Sequence, residues 1–486
     1  TSTAEQRTTR ALHHQTDSRA DAGQPMNEKP AIRRDIFRAY DIRGIVGQGL
    51  DAYSVRLIGQ AIGSEALDAG ERKLIVGADA RLSSPELFAA LKTGILSSGC
   101  SIIDLGVVPT PLMYFATHTL IADSGVMLTG SHNPRDYNGI KIVLKRQALA
   151  DNQISHLYDR IMTNTLHSGK GSTISFDIKQ PYINAITSTI TLQKPFKVVI
   201  DCGNGVAGLV APQLFASLGC TVIPLYCDID GNFPNHHPDP TRYENLKDLI
   251  ARVALEQADL GIALDGDADR LGLVTSTGSV LDADHMLLAF AMDILPDNPA
   301  AKIVFDVKSS HHLARVITAA QGVPVMCKSG HSYVKQKLRE TDALLGGEYS
   351  AHIFFKHRWY GFDDGMYAAA RFLELMDKYQ ATAQQLLNKL PPSVSTPELF
   401  IQVDEQDKFQ LVEMFREQLH FEHANMNYLD GIRADFDFGW GLIRASNTTP
   451  CLVLRFEADN ATELEFVKSL FRTAISALAP ELKLPF

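Results

Sequence analysis

The chain has 486 residues, 45% of them hydrophobic, and a net charge of −10 with acidic and basic residues interspersed. That length is too great for one core, so several domains are expected, while the scattered charge argues against a nucleic-acid surface. No apolar run approaches the roughly 18 residues of a membrane span, so the expected partner is a small molecule.

From the start to about residue 34 the chain is polar and aperiodic, which predicts a disordered tail, with His13 and His14 solvated rather than metal-binding. Cys100, Cys202, Cys220, Cys227, Cys327 and Cys451 lie mostly in or beside apolar runs without metal-ligand spacing. They are expected to be reduced core thiols, consistent with the cytoplasm.

Three segments then share one grammar. Each opens with a β-rich run ending in Asp: Leu74 to Asp79, Val198 to Asp201, and Ile303 to Asp306. A helical pattern follows each, then a glycine and a second β run at Gly99, Gly219 and Gly322. A third apolar run closes each unit: Val126-Met127-Leu128, Leu260 to Leu264, and Ala343-Leu344-Leu345. A polar loop comes after it, and three such loops outside the carboxyl ends of strands would line one cleft.

The first loop, Thr129-Gly130-Ser131-His132-Asn133-Pro134, delivers a hydroxyl into a Gly/Asn/Pro turn with His132 beside it and Lys141 beyond. Ser131 is thus a candidate for covalent chemistry. It is not a hydrolase nucleophile elbow, because no glycine stands two residues after it. In the second loop Asp265, Asp267 and Asp269 alternate with Gly266 and Ala268, which predicts an extended, exposed loop whose carboxylates point one way toward Mg²⁺. An EF-hand would need Gly and Glu where Arg270 and Ser276 stand. A D-x-D-x-T phosphatase would need Thr or Val at Asp269. The third loop is expected to run from Gly346 to His352, with Glu348 to accept from neighbouring sugar hydroxyls and His352 to move a proton.

The last hundred residues break the rhythm. Antiparallel strands are predicted from Phe436 to Phe456, with turns at Gly439-Trp440-Gly441 and Asn447-Thr448-Thr449-Pro450, then a capped helix from near Asn460. Arg444, Ser446, Asn447 and Thr448 offer a guanidinium fork, hydroxyls and an amide suited to phosphate. Leu390-Pro391-Pro392-Ser393 reads as a hinge before this part. The expected boundaries are a tail at 1–34, α/β domains with mixed sheets at 35–176, 177–279 and 280–391, and a smaller α+β domain at 392–486. One central cleft is expected between them.

Taken together, T-G-S-H-N-P with Asn138-Gly139-Ile140-Lys141, Phe37-Arg38-Ala39-Tyr40-Asp41-Ile42-Arg43-Gly44, and Gly231-Asn232-Phe233-Pro234-Asn235-His236-His237-Pro238-Asp239-Pro240 are similar to motifs of the α-D-phosphohexomutases. Asp306-Val307-Lys308-Ser309 and Ser329-Gly330-His331-Ser332 match as well. The resemblance is to the bacterial phosphomannomutase/phosphoglucomutase group and runs from about Phe37 to the C-terminus. It implies that Ser131, phosphorylated at rest, exchanges its phosphoryl group with mannose or glucose 1- and 6-phosphates through a hexose 1,6-bisphosphate. One Mg²⁺ would be held by Asp265, Asp267, Asp269 and the phosphoserine. Arg43, Lys141 and Arg270 would supply positive charge, and His132, His331, His352 and Lys141 are the proton-transfer candidates. Tyr40, Lys308, His331, and the run Glu348, Tyr349, Ser350, Ala351 and His352 would bind the sugar phosphate, with Glu348 and Ser350 on the 3- and 4-hydroxyls. Arg444, Ala445, Ser446, Asn447 and Thr448 would clamp the idle phosphate of a monomeric enzyme. The runner-up readings are a phosphoglucosamine mutase and a Mg²⁺-dependent sugar phosphatase.

Departures from the family pattern stand at three places. Gly77-Ala78-Asp79-Ala80-Arg81 replaces G-R-D-x-R, Tyr349 and Ala351 replace Met and Gly, and Asp284-His285-Met286 stands where an Arg is common. His236 and His237 are expected to be structural.

Overall fold

The computed structural model describes residues 32–486, so His13, His14 and nearly all of the expected tail lie outside the described residues. The three-unit grammar becomes one topology repeated three times. In the first unit the Lys73–Ala78 strand lies between Ser101–Val107 and Gly125–Leu128, parallel to both, and Tyr137–Leu144 returns antiparallel to the third strand. The second unit places Lys197–Asp201 between Thr221–Leu225 and Leu260–Leu264 in the same way, with Leu271–Thr275 returning. Lys302–Asp306, Val323–Cys327, Leu345–Glu348 and His352–Phe355 repeat it in the third. Each functional loop is therefore the hairpin between third and fourth strands. Parallel strands covered on both faces by helices explain the near-continuous apolar runs.

The second sheet also takes in Val280–Leu281, paired with Leu271–Thr275. The boundary expected at 279/280 thus cuts a strand from its sheet. The fourth sheet is antiparallel, with Cys451–Ala458 and Gly439–Ala445 at its centre. Helix Ala461–Leu478 packs on it, and its cap is the predicted Asn460, whose side chain accepts from the Glu463 N–H.

Two expected glycine turns are strands instead. Gly439-Trp440-Gly441 lies inside Gly439–Ala445, so the turn falls at Asp437 and Phe438. A Cβ on Gly441 would come 2.5 Å from the Phe471 ring of the covering helix. Likewise Gly346, Gly347 and Glu348 belong to the Leu345–Glu348 strand, which shortens the sugar loop to Tyr349, Ser350 and Ala351. There a Cβ on Gly346 would meet Leu338 at 2.5 Å and one on Gly347 would meet Leu287 at 2.8 Å. These glycines mark close helix approach rather than chain reversal.

One apolar cluster runs through the first three units, from Ile75 and Leu112 through Phe215 to Phe290 and Phe372. Within it the Trp359 and Tyr367 rings stack at 4.3 Å. Such shared burial, at about 1.5–3 kcal/mol per large side chain, holds the loops of different domains in fixed relation. Among the described residues no helix is long and apolar enough to cross a membrane.

Candidate active site

The serine loop is built on Asp79 and Arg81, at the carboxyl end of the first strand. Asp79 Oδ2 accepts from Thr129 Oγ1 at 2.8 Å and from the Gly130 N–H at 3.1 Å. The buried Arg81 guanidinium donates to the carbonyls of Ser131, Asn133, Pro134 and Tyr137 at 2.6–3.1 Å. A Cβ on Gly130 would sit 2.3 Å from Arg81 Nε, so glycine is required there. Ser131 is thereby held at φ 52°, a left-handed conformation that a non-glycine residue adopts only under constraint. Phe233, from the long Asn/Pro motif of the second domain, covers the Arg81 guanidinium at 5.2 Å. His236 Nε2 lies 2.8 Å from Asp201 Oδ2 and has a fixing role, as expected of it.

The acidic loop meets the serine loop directly. A Cβ on Gly266 would fall 2.2 Å from the Ser131 carbonyl oxygen, so only glycine lets the two backbones touch. The expectation of an extended, exposed loop is corrected here. Asp265 to Asp269 form a turn with Ala268 at φ 65°, and all three carboxylates are fully buried. They still converge, with one oxygen of each lying within 4.8 Å of the others. Turn geometry, not alternation along a strand, aims them.

Ser131 Oγ lies 3.3 Å from Asp265 Oδ2 and 3.3 Å from His132 Nδ1. Lys141 donates to Asp267 at 2.8 Å and to Asp269, and Thr110 Oγ1 donates to Asp267 at 2.5 Å. Among the described residues Asp267 Oδ1 and Asp269 Oδ1 have no hydrogen-bond partner. Burial, followed by the charges of Asp267 and Asp269, pushes the Asp265 carboxyl well above its ordinary range. Three buried carboxylates that converge, two of them with an oxygen lacking a partner among the described residues, form a donor set that can hold a hard divalent cation.

The cationic groups are not interchangeable. Burial pulls the Lys141 ammonium down, but Asp267 and Asp269 outweigh it and hold it well above its usual value. His132 is held well below its ordinary value by burial and then by Arg270 and Arg43. His331 is held low by burial and then by Lys335 and Lys141. In both, burial disfavours the charged form. His352 packs 5.7 Å from His331, ring to ring, with Nδ1 2.9 Å from Asp363 Oδ2. Arg43 donates to Asn133 Oδ1 at 2.6 Å, joining the opening motif to the serine loop.

Across the cleft, Glu348 Oε2 and Ser350 Oγ are buried and without partners among the described residues. Arg444 Nη2 is likewise free, while its Nε lies 3.1 Å from Asp430. Asn447 donates to the Ser329 carbonyl at 3.2 Å, and Lys308 pairs with Glu398 at 2.9 Å, so third- and fourth-domain groups interlock. The cleft has a volume of about 810 Å³ and brings Ser131, Tyr40, Lys308, Glu348, Arg444 and Thr448 to one space. That suits a phosphosugar. Ala445 is the exception, since its side chain belongs to the fourth domain's apolar core.

Sequence reasoning missed Arg455. Its guanidinium lies 3.7 Å over the Tyr349 ring and 3.3 Å from Asp284, at the corner where the family's early third-domain Arg is absent. Asp79, Arg81, Glu398, Asp430 and Asp363 were likewise not assigned roles. Ala351, the other departure, takes φ 77°. Ala351→Gly is expected to stabilise the protein by about 0.5–1 kcal/mol, the relief of left-handed strain exceeding glycine's added entropy cost. A thermal unfolding midpoint that stays level or falls would refute this.

The family model described as phosphoglucomutase/phosphomannomutase α/β/α domain I matches residues 34–167, domain II matches 180–278, domain III 282–394, and the C-terminal domain 400–474. A phosphomannomutase/phosphoglucomutase of Pseudomonas aeruginosa is 53% identical over 457 residues, covering 94% of this chain and 99% of that protein. A phosphoglucomutase of Neisseria meningitidis is 46% identical over 450 residues, covering 92% of this chain and 98% of that protein. The crystal structure of a phosphoglucomutase/phosphomannomutase family protein from Burkholderia thailandensis superposes with a TM-score of 0.89 at 46% identity, covering 94% of this chain and 100% of that one. With all four domain models matched in order and identity sustained along the chain, this protein belongs to the phosphoglucomutase/phosphomannomutase group of the α-D-phosphohexomutases.

Proposed function

We propose that the chain is a phosphomannomutase/phosphoglucomutase that interconverts hexose 1-phosphate and hexose 6-phosphate. The observation that carries this is Ser131, whose loop backbone Arg81 and Asp79 hold so that its Oγ stands where the three carboxylates meet the cleft lined by Glu348, Ser350 and Arg444. In the forward half, the Oγ–P bond of phosphorylated Ser131 breaks as a sugar hydroxyl oxygen bonds to phosphorus. The hydroxyl proton ends on Ser131 Oγ, relayed by His132 at 3.3 Å. The hexose 1,6-bisphosphate then turns over, its other phosphoryl group passes to Ser131, and the serine proton leaves for the sugar oxygen.

Asp265, Asp267, Asp269 and the seryl phosphate would hold one Mg²⁺, which when bound neutralises phosphoryl charge. Lys141, Arg43 and Arg270 add positive charge around a loose transition state, where positioning and electrostatics provide most of the rate. Glu348 and Ser350 grip hydroxyls placed alike in glucose and mannose, and Arg444 with Ser446, Asn447 and Thr448 holds the phosphate not reacting. The enzyme would act as a monomer in the cytoplasm.

Because no group is assigned to the C2 hydroxyl, the two hexose phosphates should differ only modestly in kcat/KM, by less than about 10²-fold. Comparing glucose 1-phosphate, mannose 1-phosphate and glucosamine 1-phosphate under one set of conditions tests this. A preference for the glucosamine compound would make the chain a phosphoglucosamine mutase. Release of free phosphate without isomerised sugar would make it a phosphatase.

A further inference from the structure

Outside the catalytic cleft, two consecutive histidines face a carboxylate from another domain. His311 precedes helix His312–Ala319 of the third domain, and Asp459 joins strand Cys451–Ala458 to helix Ala461–Leu478 of the fourth. His311 and His312 are 7% and 8% exposed, with ring centroids 4.3 Å apart. Their Nε2 atoms lie 3.3 Å and 4.0 Å from Asp459 Oδ1. Among the described residues, neither nitrogen of His311 nor Nε2 of His312 has a hydrogen-bond partner. Leaving such groups buried and unmatched costs about 1–3 kcal/mol each unless something else meets them.

We propose that His311, His312 and Asp459 form a binding site for a divalent transition-metal ion of the zinc class, which fastens the fourth domain to the third. Two imidazole nitrogens and one carboxylate oxygen, all within 4.8 Å of one another, are the donors such ions prefer over Mg²⁺. Ligand bonds of about 2.0–2.2 Å in a tetrahedron place donor atoms about 3.3–3.6 Å apart. The first separation already meets this, and the second needs to close by only a few tenths of an ångström. Neighbouring contacts hold the two elements in register, since Ser310 Oγ and the His311 N–H both donate to Glu457, at 2.8 and 3.2 Å. Asp459 is 41% exposed, which gives the ion a way in and a fourth position for water. None of the three residues lines the catalytic cleft, so the site stands or falls apart from the mutase reading.

The test is a titration of Co²⁺ into the full chain with Mg²⁺ in excess to occupy the catalytic carboxylates. An intense visible d–d band of four-coordinate Co²⁺ should saturate at one equivalent and vanish on adding Zn²⁺. In His312→Gln the band should be lost, and in Asp459→Asn, a surface change that keeps the fold, the affinity should fall at least tenfold. Zn²⁺ should raise the thermal midpoint of the parent protein by about 2 °C, that of Asp459→Asn by less at the same concentration, and that of His312→Gln not at all. Absence of the band, or an equal Co²⁺ affinity in parent and Asp459→Asn, would overturn the proposal.

Discussion

Ser131→Ala should lower mutase turnover by about 10⁴-fold or more while leaving the fold and substrate binding in place. Among the described residues, Ser131 is the serine or threonine whose hydroxyl both contacts the acidic loop and lines the cleft, whereas Thr110 reaches Asp267 from outside the cleft. The backbone does not depend on it, because Arg81 and Asp79 hold the main chain around residue 131. Alanine bears the left-handed φ of 52° about as well as serine does. The lost Oγ contacts are both long, at 3.3 Å. Binding of glucose 1-phosphate, measured by calorimetry, should therefore change by less than about threefold, since Arg444, Glu348 and Lys308 are untouched. Retention of more than a few per cent of turnover would show that phosphate travels by another route.

Asp267→Asn should lower turnover by about 10³-fold, and chelator should silence the parent enzyme, if the three carboxylates hold the catalytic cation. Its effect on stability should be small even though Asp267 is fully buried. Breaking a buried ion pair usually costs about 3–5 kcal/mol because a charge is stranded. Here Lys141 keeps Asp269 as partner, and removal of one negative charge relieves the repulsion that adds to burial in raising the Asp265 carboxyl. Without metal, the variant's thermal midpoint should match or exceed that of the parent. Unimpaired turnover in the variant, or in the parent under chelator, would remove the acidic loop from the chemistry.

Much of this architecture was legible because it repeats. A β run ending in Asp, a helical pattern, and a polar loop after a third run fixed the three-unit plan, and Asp79, Asp201 and Asp306 each anchor a neighbouring loop or motif. Glycine misled where it marked packing. Gly347 and Gly441 lie under Leu287 and Phe471, 60 and 30 residues away, and Gly346 under Leu338 of the preceding helix, so each is set by packing between elements and not by a turn. Burial of the acidic loop was equally hidden, because its cover comes from the serine loop and Lys141, more than a hundred residues earlier. Arg455 was missed for the same reason. It sits in an apolar strand of the fourth domain, and only the assembled fold brings it to Asp284 and Tyr349. The turn after Arg444, by contrast, was readable, since its strand-turn-strand setting followed from the local pattern.

The most direct test of the central claim is the intact mass of the purified protein before and after incubation with glucose 1,6-bisphosphate, followed by peptide mapping. The account predicts a species heavier by one phosphoryl group, carried on the peptide containing Ser131, stable in acid, and discharged by adding a hexose monophosphate as acceptor. A protein that stays unmodified, or one whose label sits as an acyl phosphate on Asp265, would contradict it.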